Sequence, residues 1–285
     1  MNILVIGAGG FLGSHLINRI RGEDVSVFGA VRSLPLKKQD GCTYILTNDP
    51  TIYTKSIHLK FDVIINVAMK RSSRNESFSD SIIRELNYDI PLKIIEHFAT
   101  VETLVINTST YIQNFLGIKG NTTEGYSFSK ELLSSALELR AKNGLFRVLD
   151  LYLFTLFGPG DRATHLVPLL IQAAKEENRI QLSEGRQLIN LLYIDDAVGS
   201  IIAAIGDSFD GYRPYFLWQE NYLSVRSLVS EIQGILGSGM EVEWGAFPYS
   251  GHEMFEPWIM PMAQFPKLVV NNSLHEGILK SCASF

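Results

Sequence analysis

The sequence predicts an α/β fold, a doubly wound parallel sheet with a smaller carboxyl-terminal lobe, from three observations. Short apolar runs alternate with helix-patterned stretches through the first half, a glycine-rich turn follows the first run, and the alternation weakens beyond residue 158. The expected partition is a sheet domain at 1–158, with 187–218 returning to it, and a smaller lobe from 159–186 and 219–285.

Strands are expected at Ile3–Ile6, Val25–Val31, Tyr44–Leu46, Val63–Val67 and Leu104–Asn107, whose continuous apolar character suits strands covered on both faces. A helix from Phe11 to Ile20 follows the first strand. Pro91 within NYDIPLKIIEHF starts or kinks another, because proline lacks the N–H that a helix interior needs. SKELLSSALELRAKNG reads as an amphipathic helix ending at Gly144, and a sixth strand, Phe146–Phe154, runs into the turn GPGDR. The remainder carries helices at Leu166–Lys175 and Val225–Leu236, strands at Leu191–Ile194 and Tyr215–Trp218, and an irregular stretch rich in proline and aromatic residues from Phe247 to Pro266.

With 285 residues, 46% of them hydrophobic, the chain can bury a full core. A net charge of -5 argues against nucleic-acid or membrane partners, which need a basic field. Cys42 and Cys282 stand too far apart to suggest a disulfide framework, and the six histidines (15, 58, 97, 165, 252 and 275) lack metal-ligand spacing, so no metal is expected. The opening run NILVIG is too short for a signal core or a membrane span, which makes the cytoplasm the expected address.

The turn GAGGFLG between the first strand and helix has the context of a pyrophosphate site. Gly7 permits the tight turn, Gly10 lets the backbone approach phosphate, and Gly13 lets helix and sheet meet closely. Dinucleotide sites that prefer NAD place a carboxylate at the end of the second strand, whereas here Arg32 and Ser33 follow it. A guanidinium suits a 2'-phosphate, so NADP(H) is the expected cofactor, with NAD(H) the alternative.

Tyr126 and Lys130, four residues apart, share one helix face, where an ammonium lowers the energy of a phenolate. The strand ETLVINTSTYIQ ends in Thr108, Ser109 and Thr110, at the edge where open parallel sheets bind ligands. In this arrangement Thr110 bonds the substrate oxygen, Tyr126 transfers the proton, and Lys130 tunes the phenol and holds the nicotinamide ribose.

These motifs, together with FDVIINVA, Asn87, LFGPGDR, LLYIDDAV and LHEGILKS in order along nearly the whole chain, resemble an extended short-chain dehydrogenase/reductase of the NAD-dependent epimerase/dehydratase family, a Rossmann fold. The resemblance implies that Gly7, Gly10, Phe11, Leu12, Gly13, Val67 and Ala68 line the cofactor. It further implies that Thr110, Tyr126 and Lys130 act chemically, and that Asn87 is structural or part of a proton relay. The 4,6-dehydratases of this family carry Asp and Glu after the catalytic threonine; Tyr111 and Ile112 stand there here, which argues against elimination. The short span from Thr110 to Tyr126, with VINTST, GPGD and EWGAFPYSGHEM, is similar to reductases of the CDP-abequose synthase type. Thr155 replaces a frequent asparagine, and Ile189–Asn190 an Arg-Asp pair, so Arg186 is the candidate grip for the substrate diphosphate.

The resemblance thus implies NADPH-dependent reduction of a nucleotide-linked 4-keto-6-deoxyhexose, with a homodimer as the expected assembly. A nucleotide-sugar 4-epimerase holding NAD(P), or a dinucleotide-binding sensor without turnover, are the alternatives. Asp195 and Asp196 read as helix-capping residues, Lys70, Arg71 and Arg74 as a solvated loop, and Trp244, Phe247, Tyr249, Phe255 and Trp258 mainly as closure of the small lobe.

Overall fold

The computed structural model describes residues 1–20, 22, 24–36, 38–49, 51, 59–71, 79–114, 125–249, 253–258 and 260–283. Two compact units divide the chain: Met1–Leu153, Val198–Phe216 and Met262–Lys267 form the first, and Phe154–Ala197, Leu217–Pro261 and Leu268–Phe285 the second.

The first unit is a Rossmann sheet. Its strands β1 (Asn2–Ile6), β2 (Ser26–Val31), β3 (Cys42–Leu46), β4 (Val63–Asn66), β5 (Leu104–Thr110) and β6 (Arg147–Leu153) lie in the order β3-β2-β1-β4-β5-β6, with Tyr212–Leu217 beside β6. Neighbouring strands from β3 to β6 all run parallel. The chain winds outward from β1 through β3, then returns to β4 and winds the other way, which opens a crevice at the carboxyl ends of β1 and β4. All of β4 and β5 is buried, so the apolar runs in the sequence reflect cover on both faces. On one face Leu4, Ile6, Ile64 and Val105 meet Leu92, Ile95, Phe98, Leu133 and Leu137, and the Phe28, Phe61 and Phe98 rings meet edge to face.

Helix α1 (Phe11–Arg19) follows β1, and α2 (Asp80–Arg84) passes through a π-helical turn, Glu85–Asp89, into α3 (Ile90–Phe98). Pro91 therefore marks a widened turn within one continuous helical stretch. It has no N–H to return to Asn87, and the preceding turn takes up i→i+5 bonding, with Ile90 N–H donating to the Glu85 carbonyl. Helix α4 (Gly125–Lys142) ends with Gly144 at φ +71, where Gly144 and Leu145 donate back to Ala141 and Arg140.

Within the second unit, Thr155–Phe157 pairs in parallel with Leu191–Tyr193, Leu188–Ile189 antiparallel with Leu223–Ser224, and Ile180–Gln181 in parallel with Val242–Glu243. Because 188–193 pairs inside this unit, the segment returning to the first unit starts at Val198. Helix Val225–Leu236 begins with Ser224 Oγ accepting from the Ser227 N–H and ends at Gly237, φ +62. Asp196 lies in the first turn of helix Ile194–Ala204 and accepts from the Asn271 and Asn272 N–H groups and from Asn272 Nδ2, which fastens the carboxyl-terminal segment to the start of that helix. Trp244 stacks under the Arg226 guanidinium at 4.3 Å, and Tyr249 meets Phe255 edge to face. Among the described residues no helix is long and apolar enough to cross a membrane.

Candidate active site

The glycine turn closes the carboxyl end of β1 against that of β4. Gly7 holds φ +87, and a Cβ on it would stand 2.8 Å from the Ala68 Cα, so the turn must bend tightly and carry no side chain. A Cβ on Gly13 would stand 2.2 Å from the Gly7 carbonyl oxygen, a backbone atom that cannot swing aside. Gly10 N–H donates to that same carbonyl at 2.9 Å, and Gly10 precedes α1 without any side-chain cap. The first N–H groups of α1 are thereby presented to an anion, with half-buried Phe11 and buried Leu12 in the same turn. Val67 donates to Ile6, and Ala68 follows it into the crevice. Arg32 and Ser33 are exposed immediately after β2. This cradle fits a dinucleotide: it is bare of side chains where phosphates approach and cationic where a ribose would end.

Thr110, the last residue of β5, is buried, and its backbone leads into a 3-10 turn, Tyr111–Gln113. Thr110 and Gln113 form a capping-box pair: the Thr110 N–H donates to Gln113 Oε1 at 2.8 Å, and the Thr110 side chain faces the Gln113 N–H. Tyr126 stands at the start of α4, half-buried, with the Arg71 guanidinium 5.6 Å above its ring. Asn87, in the π turn and fully buried, accepts from the Lys70 N–H at 2.7 Å and donates to the Lys70 carbonyl at 2.8 Å and to Ser129 Oγ at 3.0 Å. Ser129 Oγ in turn donates to the Tyr126 carbonyl, so Asn87 locks the segment after β4 to the turn of helix that carries the phenol.

Lys130 is 2% exposed. Its ammonium donates to the Ala68 carbonyl at 2.9 Å and the Thr108 carbonyl at 2.8 Å, bridging the ends of β4 and β5 and leaving one N–H for a further acceptor. Burial pushes it down to about 8, partly offset by the attraction of Asp150. Asp150 is itself fully buried on β6, where burial pushes its carboxyl up against the hydrogen bonds it receives. Ser109 Oγ and Asn107 Nδ2 donate to Oδ1 at 2.7 and 2.8 Å, and the Tyr212 hydroxyl to Oδ2 at 2.8 Å. Asn66 joins the same seam through Asn107 at 2.8 Å.

The glycine turn, Val67, Ala68, Arg32, Ser33, Thr110, Tyr126 and Lys130 all belong to the first unit, and most sit at carboxyl ends of its strands. Thr155 and Arg186 belong to the second, where both are exposed; Thr155 N–H donates to the Asn190 carbonyl, and Arg186 N–H to the Tyr249 hydroxyl. Arg74 and loop residues 115–124 lie outside the described residues. Sequence reasoning missed Gln113 and Asp150. T-x-x-Q is the spacing of a capping box and would have found the first; nothing local marks the second.

The profile of the NAD dependent epimerase/dehydratase family matches residues 3–215. The chain belongs to this family. Among curated relatives, CDP-abequose synthase of Yersinia pseudotuberculosis is 24% identical over 277 residues, covering 90% of this chain and 92% of that protein. CDP-abequose synthase of Salmonella typhimurium is 19% identical over 263 residues, covering 88% and 87%. Among solved structures, a UDP-glucose 4-epimerase of Thermotoga maritima with UDP-glucose superposes with a TM-score of 0.84 at 16% identity, covering 100% of this chain and 98% of that one. A UDP-glucuronic acid 4-epimerase of Bacillus cereus, in complex with UDP-glucuronic acid and NAD, gives 0.82 at 19%, with the same coverage. The chain is accordingly an NAD(P)-dependent oxidoreductase or epimerase of the nucleotide-sugar-modifying group.

Proposed function

We propose that this protein reduces the 4-keto group of a nucleotide-linked 4-keto-6-deoxyhexose, with NADPH as reductant. The observation that carries the reading is the end of β5: Thr110, Tyr126 and Lys130 accompany a glycine cradle, while the two positions after Thr110 hold Tyr111 and buried Ile112, which offer no carboxylate for an elimination. Near full-length similarity to CDP-abequose synthases supports the same choice.

Gly7, Gly10, Phe11, Leu12, Gly13, Val67 and Ala68 would hold the dinucleotide, with Arg32 and Ser33 at its 2'-phosphate. When bound, the reduced nicotinamide supplies hydride to C4 of the sugar. Thr110 donates a hydrogen bond to the C4 oxygen, and the Tyr126 hydroxyl gives that oxygen its proton as it becomes an alkoxide. Lys130 places a positive charge one helical turn from the resulting phenolate, and its remaining N–H is available to the nicotinamide ribose. Thr155 and Arg186 are proposed contacts to the sugar nucleotide.

Incubation with NADPH and CDP- or dTDP-4-keto-6-deoxyglucose tests this: absorbance of the reduced nicotinamide falls in step with product, one cofactor per sugar. A second reading, 4-epimerisation with retained NAD(P), is favoured by the epimerases among the structural neighbours and consumes no net cofactor. Product formation without NADPH loss decides for it.

A further inference from the structure

We propose that Gln113 is a positioning residue that fixes the Thr110 hydroxyl as a donor toward the reacting oxygen and fastens it to the helix carrying Tyr126 and Lys130. The proposal rests on the reductase reading only in naming the oxygen that receives the bond. Gln113 is 0% exposed, and both its main chain and its side chain hold Thr110. A hydroxyl has one proton and two lone pairs. The Thr110 side chain faces the Gln113 N–H, a donor, so that side offers its hydroxyl proton no acceptor and the proton is available to a ligand at the end of β5.

The amide cannot turn over, because a directed chain of protons fixes it. Ser109 Oγ donates to the Asp150 carboxyl at 2.7 Å and lies 2.8 Å from Ser134 Oγ, which also bonds Asp150, so the Ser134 proton is taken up on that side, by Ser109 or by the carboxyl. Ser134 Oγ therefore has lone pairs free to receive Gln113 Nε2 at 3.3 Å, while Glu131 Oε2 receives the other N–H at 3.1 Å. A buried carboxyl on β6 thus dictates, through two serines on different elements, that the amide nitrogen faces α4 and its oxygen faces the Thr110 N–H. A glutamate at 113 would oppose Glu131, and an apolar residue would release Thr110.

The test is Gln113→Leu, alone and in a Thr110→Val background. Thr110 contributes its bond in the transition state, so Gln113→Leu is expected to lower kcat about tenfold or more, with the KM for NADPH within about twofold of wild type. In Thr110→Val it is expected to cost nothing further, and exchange of the Thr110 amide hydrogen is expected to accelerate. Equal losses in both backgrounds, or an unchanged kcat, would overturn the proposal. Should Gln113→Leu fail to fold, Glu131→Ala removes one anchor at a half-buried position, and a several-fold drop in kcat confined to the Thr110-containing protein is expected; full activity overturns it. If the wild-type chain turns over no sugar nucleotide, the reductase reading falls, while amide exchange at Thr110 still decides the grip of Gln113: undiminished protection in Gln113→Leu refutes it.

Discussion

A phenol and an ammonium one helical turn apart occupy very different surroundings. Tyr126 is half-buried beneath a guanidinium, whereas Lys130 is sealed between two carbonyls. Tyr126→Phe is expected to lower kcat by about two to four orders of magnitude, the range for removal of a general acid, with cofactor affinity and melting temperature unchanged; steady-state kinetics with a fluorescence titration of NADPH checks it. Lys130 makes a prediction about stability. Its folded value, about 8, lies below the ordinary lysine value of 10.5, so between these the unfolded chain binds more protons than the folded one, and stability attributable to Lys130 rises with pH. The burial penalty is full below about pH 8 and is relieved above about 10.5. Relative to Lys130→Met, the wild-type protein is therefore expected to gain about 3 kcal/mol of unfolding free energy across that window, at 1.36 kcal/mol per unit. Parallel urea titrations at both ends of the window measure it, and a constant difference between the two proteins would contradict it.

The turn between β1 and α1 shows how closely backbone can be required to approach backbone. At Gly13 a methyl would meet the Gly7 carbonyl oxygen and the Ala8 Cα, both main chain, while at Gly9 its nearest neighbour is a Val31 methyl at 3.7 Å. Gly13→Ala is expected to destabilise the protein by about 1–3 kcal/mol and abolish NADPH binding, and Gly9→Ala to fold with unchanged melting temperature. Calorimetry on both variants separates the two sites; equal behaviour would mean that α1 does not rest on the turn. Much of this architecture was legible in advance because β1, β4 and the first half of β5 carry continuous apolar runs (Ile3–Ile6, Val63–Ile65 and Leu104–Ile106) and helices Leu166–Lys175 and Val225–Leu236 carry their own period and boundaries. The two-residue strands at Ile180–Gln181, Leu188–Ile189 and Leu223–Ser224 were not, since each exists only through a partner distant in sequence. The π turn escaped for a related reason. Pro91 announces that something must give in the helix, yet the register chosen is the one that brings Asn87 to Lys70 and Ser129, a tertiary demand. In the candidate site, spacing singled out Gly7, Gly13, Tyr126 and Lys130, but a carboxylate inside a sheet, Asp150, runs against the ordinary exposure of charged residues and is understood only from the donors that surround it.

Every residue assigned to the dinucleotide lies in the first unit, so the choice between cofactors is expected to appear in how that unit resists unfolding. A ligand that binds only the folded form adds RT ln(1 + [L]/Kd), about 2.7 kcal/mol at a hundredfold excess over Kd. For a domain of this size that corresponds to a rise of roughly 5–11 °C. Arg32, exposed after β2 with Ser33 beside it, is the group that would distinguish a 2'-phosphate from a hydroxyl. A charge-assisted bond of about 1.5–3 kcal/mol makes the discrimination roughly ten- to a hundredfold. At equal concentration NADPH is therefore expected to raise the melting temperature more than NADH. Arg32→Asp, which supplies a carboxylate where NAD-preferring sites carry one, is expected to reverse the order by repelling the phosphate and accepting from the ribose. Scanning fluorimetry of the two proteins with each cofactor reads both effects. Stronger protection of the wild-type protein by NADH would assign the cofactor to NAD and return Arg32 to the solvated surface.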